Sequence, residues 1–437
     1  MDIPTTCPGV TELDELCVEL SRSGVAVEVI GHSRGGRPIR CISPASGCTL
    51  NALVVGTPHP NEPIGGRTIQ VMVDMLLRNS RALAALPFRW HFIPTIEPDG
   101  LALNDSWLGT PHDVGAYFRG IYRPAFRHQA EYAFPLRTKS YRFDAVTPET
   151  QAWMSAIDQL QPALMVSLHN ADHGGAFNVL SRTHPELANA LSQQAGVHGI
   201  ALDEAGDPFS EQRVLAPGVF LADDFSALVE QAPGAWTAGD SSFGYASRYG
   251  TLGLVPEVPL WQEDAAQATP ATSDAWAGLE EVYEATAALV ERAQAVHGPG
   301  TEPDLMLDAT TEGAQTLRRL MAAQKRQRSA PVPNTLANLV RRRLRMLPLR
   351  TLGMLGRWCG ARAAGTPDAG ERQALALIER QVADLMDRQL GDESLTSGMV
   401  PVPLHAAVAT QLQAILSAAA VVAAERGLAS SMGPNAR

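Results

Sequence analysis

The chain has 437 residues, 45% of them apolar and 19% charged, which is the composition of a globular protein with a large core and room for two domains. A formal net charge of −11 argues against nucleic acid or an anionic membrane as the main partner. Five cysteines without a Cys-x-x-Cys pair make a disulfide framework unexpected and fit a reducing, cytoplasmic setting.

Met1–Thr6 has neither the basic nor the apolar region of a secretory signal. Residues 10–22 have the spacing of a short amphipathic helix. Val25–Ile30 and Ile39–Ser43 read as strands around the glycine turn Gly31–Pro38. Asn51–Val55 is an apolar strand that runs into Thr57-Pro-His-Pro-Asn-Glu62. A helix then begins near Pro63, whose missing N–H costs nothing at a first turn, and ends near Arg78. Trp90–Ile93 is a strand leading to a Pro98-Asp-Gly100 turn. Residues 101–143 are aperiodic and rich in aromatics and arginine, the kind of long segment that is often functional.

Pro148–Leu160 reads as a helix. Ala163–Leu168 reads as a buried strand ending at His169-Asn170, and Phe177–Leu180 as a further strand. A helix over 185–195 follows. The glycine-rich stretch 239–250 precedes the strand Thr251–Val255, which ends at Pro256-Glu257. Beyond Asp264 only helices are expected, over 275–297, 305–327, 331–350, 370–390 and 404–426. The last has an apolar run broken by Thr410, Gln411, Gln413 and Ser417, and reads as a buried helix rather than a membrane span. Strands alternating with helices predict an α/β fold, a mixed and largely parallel sheet flanked by helices. The predicted domains are 1–298 and an all-helical C-terminal extension, 299–437. The extension is also the expected surface for self-association.

Three apolar strands are thus followed closely by chemistry-bearing side chains: His59 and Glu62, His169, and Glu257. Strand carboxyl ends converge on one edge of an open α/β sheet. Two imidazoles and one carboxylate brought together there make a His₂Glu set with a fourth position open, the pattern of catalytic zinc. A further carboxylate outside that set can serve as general base.

Gly31–Ile39, His59-Pro-Asn-Glu62, Pro98-Asp-Gly100, Ser167-Leu-His-Asn170 and Pro256-Glu-Val-Pro259, in that order, resemble the zinc carboxypeptidases of the carboxypeptidase A type. The resemblance spans roughly residues 10–295. It implies one zinc per chain held by His59, Glu62 and His169, with Glu257 as general base. It also marks two departures. In the family an Asn-Arg pair, in a segment ending Phe-Pro, grips the terminal carboxylate of the substrate; here Glu131 and Tyr132 stand in that segment. Ala235 or Trp236 stands where the family has a loop tyrosine. Arg119, Arg123 and Arg127 lie nearby in sequence. Arg123 is the candidate for polarising the scissile carbonyl, and Arg119, Arg127 and Asn170 are candidate substrate contacts.

The expected function is therefore a zinc-dependent hydrolase that cleaves an amide bond, foremost a metallocarboxypeptidase acting on a short or modified peptide. The alternatives are a small-molecule amidohydrolase or deacylase, like the aspartoacylase-like relatives that share the ligand set, and an inactive binding protein that keeps the fold.

Overall fold

The computed structural model describes residues 3–194, 196–206, 212–231, 234, 236–264, 278–298, 304–326 and 334–428. Twelve strands occur among them: β1 (Ala26–His32), β2 (Pro38–Ser43), β3 (Leu50–Gly56), β4 (Phe88–Ile93), β5 (Leu136–Arg137), β6 (Arg142–Phe143), β7 (Leu164–His173), β8 (Phe177–Leu180), β9 (Val214–Ala216), β10 (Val219–Leu221), β11 (Leu252–Glu263) and β12 (Met399–Pro401). The chain packs as two compact units. One comprises residues 1–102, 129–260 and 402–437, the other residues 103–128 and 261–401. These bounds are not those of the predicted domains. The insert 103–128 leaves the first unit, and the last helix returns to it.

The first unit is built on a sheet ordered β1-β2-β4-β3-β7-β11-β8-β10-β9. Its centre, β4-β3-β7, is parallel. The pairs β1/β2, β2/β4, β8/β11 and β9/β10 are antiparallel. The period of two in the central strands explains the layering. Ala52 and Val54 of β3, with Val166 and Leu168 of β7, join one core together with Ile69, Met72, Ile415 and Val422. The intervening Leu53, Val55 and Met165 join a second core with Trp153 and Ile157. A sheet buried on both faces needs a helix layer on each. Helices Ile64–Leu77 and Leu404–Glu425 cover one face, and Pro148–Leu160 covers the other.

Helix Leu404–Glu425 is long and apolar enough to cross a membrane. Here its face of alanines with Ile415 and Val422 is packed into the first core, and its polar breaks bond inside the unit. Thr68 Oγ1 donates to Gln411 Oε1 at 2.6 Å, and Gln194 Nε2 donates to Ser417 Oγ at 2.5 Å.

The second unit is helical. Helices Leu279–His297, Leu305–Arg326, Asn334–Gly365 and Ala369–Leu390 pack on one another. Asn334–Gly365 is longer than the sequence pattern predicts and continues through Pro348. A proline inside a helix leaves the carbonyl four residues earlier without its donor. Here that carbonyl, Leu344 O, accepts from Tyr283 Oη at 2.7 Å. The aperiodic expectation for 101–143 also changes. Short helices Pro98–Leu103, Asp105–Leu108 and Val114–Gly120 fill its first part, so Pro98-Asp-Gly100 starts a helix. Gly353 allows Asn334–Gly365 to touch the insert, since a Cβ there would lie 1.8 Å from Phe118 O. Arg357 then donates to the carbonyls of Gly120 at 2.6 Å and Ile121 at 3.0 Å. Among the described residues beyond Asp264 there is one strand, β12, which pairs with Trp261–Glu263. The residues 331–333 expected to begin a helix, and Ala235, lie outside the described residues.

Candidate metal centre

The loop after β3 is shaped by close approach. A Cβ on Gly56 would meet Pro94 O at 2.5 Å, and one on Gly65 would meet Leu168 Cβ at 2.6 Å. Glycine at both places lets the helix start lie against β7. Thr57 takes φ 52, a left-handed conformation rare for a β-branched residue, and turns the chain out of the strand. Glu62 N–H then closes on His59 O at 3.0 Å.

These turns bring His59, Glu62 and His169 together. Each offers one ligand atom, all lie within 4.8 Å of one another, and all three residues are buried. His169 Nδ1 is 3.0 Å from Glu62 Oε2 and 3.9 Å from Glu257 Oε2. The His59 and His169 rings meet edge to face at 4.8 Å. His169 lies within β7, which runs on to His173 instead of ending at Leu168. Glu257 likewise lies within β11, which passes through Pro256 and Pro259.

The donor set fits zinc, for which two imidazoles and a carboxylate are suitable ligands. Electrostatics agrees. Burial pushes the His169 imidazole towards its neutral form, but the carboxylates of Glu62, Glu131 and Glu257 outweigh it and raise its pKa from 6.5 to about 10. The cluster therefore draws positive charge, and a divalent cation satisfies the same field.

Supports for the cluster come from distant parts of the chain. Asn170, expected as a substrate contact, is fully buried. Its Oδ1 accepts from Ile64 N–H at 3.3 Å, capping the helix, and its own N–H donates to Glu62 Oε2 at 3.2 Å. It therefore positions Glu62. Gln411 donates from Nε2 to His169 O at 2.8 Å and to Pro256 O at 3.3 Å, holding the ligand strand and the strand of Glu257 from one side chain.

Glu131 is a member of the site. It sits in the turn Ala130–Tyr132, whose first residue is held through both its backbone N–H and its carbonyl. Ala130 N–H donates to Glu97 Oε1 at 2.6 Å, and Ala130 O accepts from Thr150 Oγ1 at 2.9 Å. The Glu131 carboxylate is buried, accepts from Ser167 Oγ at 2.8 Å and from Ser242 Oγ, and has Oε2 3.8 Å from His169 Nε2. Tyr132 stacks on His59 with centroids 5.5 Å apart. Beyond it stand Phe225 and Trp236, the next rings in series.

Arg119, Arg123 and Arg127 lie in the second unit. Arg119 pairs with Asp387 at 2.6 Å and Arg127 with Asp308 at 2.7 Å, both within that unit. The Arg123 backbone N–H approaches Met354 Sδ at 3.5 Å.

Sequence reasoning placed the three cluster residues and Glu257. It noted Glu131 as a departure from the family pattern, not as a group beside His169. Ser167 stands within Ser167-Leu-His-Asn170, but nothing in that run points to its hydroxyl. Gln411 carried one signal, a polar break in an apolar helix.

Residues 15–183 match the family described as "Zinc carboxypeptidase". The match takes in His59, Glu62 and His169 and ends before Glu257. No curated protein matches the chain. Among solved structures, carboxypeptidase A from Helicoverpa armigera is similar at a TM-score of 0.40 and 14% identity, over 58% of this chain and 65% of its own. A metallo-carboxypeptidase from Burkholderia cenocepacia is similar at 0.35 and 17% identity, over 56% of this chain and 58% of its own. Over residues 15–183, then, the chain is similar to the zinc carboxypeptidases, in line with the resemblance of its motifs.

Proposed function

We propose that the chain is a zinc-dependent hydrolase of an amide bond, with His59, Glu62 and His169 holding the metal and Glu257 acting as general base. The observation that carries this is the buried His-Glu-His cluster with a second carboxylate, Glu257, 3.9 Å from one of its imidazoles. Bound zinc supplies Lewis acidity towards the carbonyl and makes water a better nucleophile at neutral pH. The rest falls to the chain. Glu257 accepts a proton from the attacking water. It then gives that proton to the nitrogen as the C–N bond breaks, and the acid so formed passes its remaining proton to the amine, leaving a carboxylate and an ammonium. Asn170 and Gln411 hold Glu62 and the two strand carbonyls fixed while this happens.

A metallocarboxypeptidase acting on a short or modified peptide is the first form of this reading. Glu131 favours a second form, a deacylase or small-molecule amidohydrolase. A buried carboxylate beside His169 repels the free terminal carboxylate of a peptide, which a guanidinium would attract. Matched acyl-amide substrates with free-acid and amidated C-termini separate the two forms. Loss of cleavage on amidation supports the carboxypeptidase. Equal or faster cleavage of the amidated substrate supports the deacylase. In either form Glu257→Gln binds zinc as the parent does and loses activity by about 10²-fold or more. Full activity in that variant excludes Glu257 as the base.

A further inference from the structure

We infer that Ser242, Glu131 and Ser167 form a hydrogen-bonded relay that fixes the tautomer of His169 and so sets the affinity of the centre for metal. The inference rests on the zinc reading above and concerns groups that reading does not use.

The direction of each hydrogen bond follows from the donors available. A carboxylate oxygen accepts from a serine hydroxyl. Both oxygens of Glu131 are occupied, Oε1 by the Ser242 hydroxyl and Oε2 by the Ser167 hydroxyl at 2.8 Å. Ser167 has a single hydroxyl hydrogen and it points to Glu131. The Ser167 oxygen therefore turns a lone pair to His169 Nε2, 3.1 Å away. Nε2 must then carry the hydrogen. In the neutral ring this leaves the lone pair on Nδ1, the nitrogen that faces Glu62 at 3.0 Å and Glu257 at 3.9 Å. Metal-ligating histidines are commonly held in this way through their other ring nitrogen, and the holding groups tune affinity strongly.

Each member is placed by a different part of the fold. Ser167 lies on β7 two residues before His169, and with alternating side chains it shares a face with it. Glu131 is held in its turn by the clamped backbone of Ala130. Ser242 opens helix Ser242–Ala246, capped by Ser241. Ser167 and Ser242 are fully buried and Glu131 is 4% exposed, so water does not compete for these bonds. Glu131 is thus a positioning residue acting through Ser167.

The test measures zinc affinity in the full-length protein by competition with a chelating dye, for wild type, Ser167→Ala, Glu131→Gln and the double variant. Both single changes remove few atoms, so each variant checks the other if one fails to fold. Wild type binding about one zinc is the first requirement; its failure removes the zinc reading itself. With that met, each single variant is expected to bind zinc about 10- to 100-fold more weakly, and the double variant no more weakly than the poorer single one. In the zinc-loaded protein the ring ¹⁵N shifts of His169 are expected to report a single Nε2–H form in wild type and a mixture in Ser167→Ala. Affinities within twofold of wild type, or fully additive losses with unchanged ¹⁵N shifts, would overturn the relay.

Discussion

Gln411→Leu is the sharpest probe of how the last helix serves the centre. The Gln411 side chain is fully buried and makes three hydrogen bonds, to His169 O at 2.8 Å, to Pro256 O at 3.3 Å and from Thr68 Oγ1 at 2.6 Å. Leucine fills much of the same volume and keeps none of them. A neutral hydrogen bond contributes about 0.5–1.5 kcal/mol, and a buried polar group left without a partner costs about 1–3 kcal/mol. Counting the two short bonds in full and the long one in part gives a loss of about 3 kcal/mol. With a urea dependence of about 3 kcal/mol per molar, the unfolding midpoint followed by tryptophan fluorescence falls by about 1 M. Zinc affinity falls with it, because the carbonyl of a ligand residue is released. Gln411→Glu should do at least as much harm, since it keeps the Thr68 bond but sets an acceptor against two carbonyls. A midpoint and zinc affinity equal to wild type in Gln411→Leu would refute the claim that this side chain braces the two strands.

Three further outcomes follow from burial. A chain ending before Leu404 loses Gln411 together with the core contacts of Ile415, Ala418, Ala419 and Val422, and is expected to be insoluble or unfolded in its first unit by circular dichroism. Glu97 is held well above its usual pKa of 4.5, first by burial and then by the charge of Glu149. A raised folded-state value favours the protonated form, so the stability is present below about pH 4.5 and lost as pH rises through the folded value. Glu97→Gln should therefore match wild type in melting temperature at low pH and exceed it increasingly as pH rises. Equal melting temperatures throughout would count against it. Burial also raises the thiols of Cys7 and Cys359 to about 12 and of Cys17 and Cys41 to about 11. Native protein should react with a thiol reagent chiefly at Cys48, the one cysteine that is not fully buried; rapid labelling of four or five thiols would contradict the packing.

The sequence was most legible where the physics is local. β3 and the first half of β7 are nearly continuous apolar runs because both faces are covered; His59 follows the end of β3, and His169 lies within β7. The turn of Thr57–Glu62 could be placed, though not the closeness of Gly56 and Gly65 that lets it form. Glu131 could be seen as an odd residue but not located, because its partners Ser167 and Ser242 lie 36 and 111 residues away. Gln411 and Thr68 are separated by 343 residues, so only tertiary packing reveals their bond. Residues 101–143 hid their helices because pieces of four to seven residues are too short to show a period. β9 and β10 were invisible for the same reason. The helix expected over 331–350 runs on to Gly365, and the carbonyl that Pro348 leaves without a donor is satisfied by a tyrosine from another helix.

The most direct test of the account is the metal content of the purified full-length protein, measured by plasma mass spectrometry beside His169→Ala and Glu257→Gln. The account predicts about one zinc per chain in wild type and in Glu257→Gln, and little or none in His169→Ala. A wild-type protein that takes up no zinc, or a His169→Ala variant that holds it as firmly as wild type, would contradict the assignment of the centre.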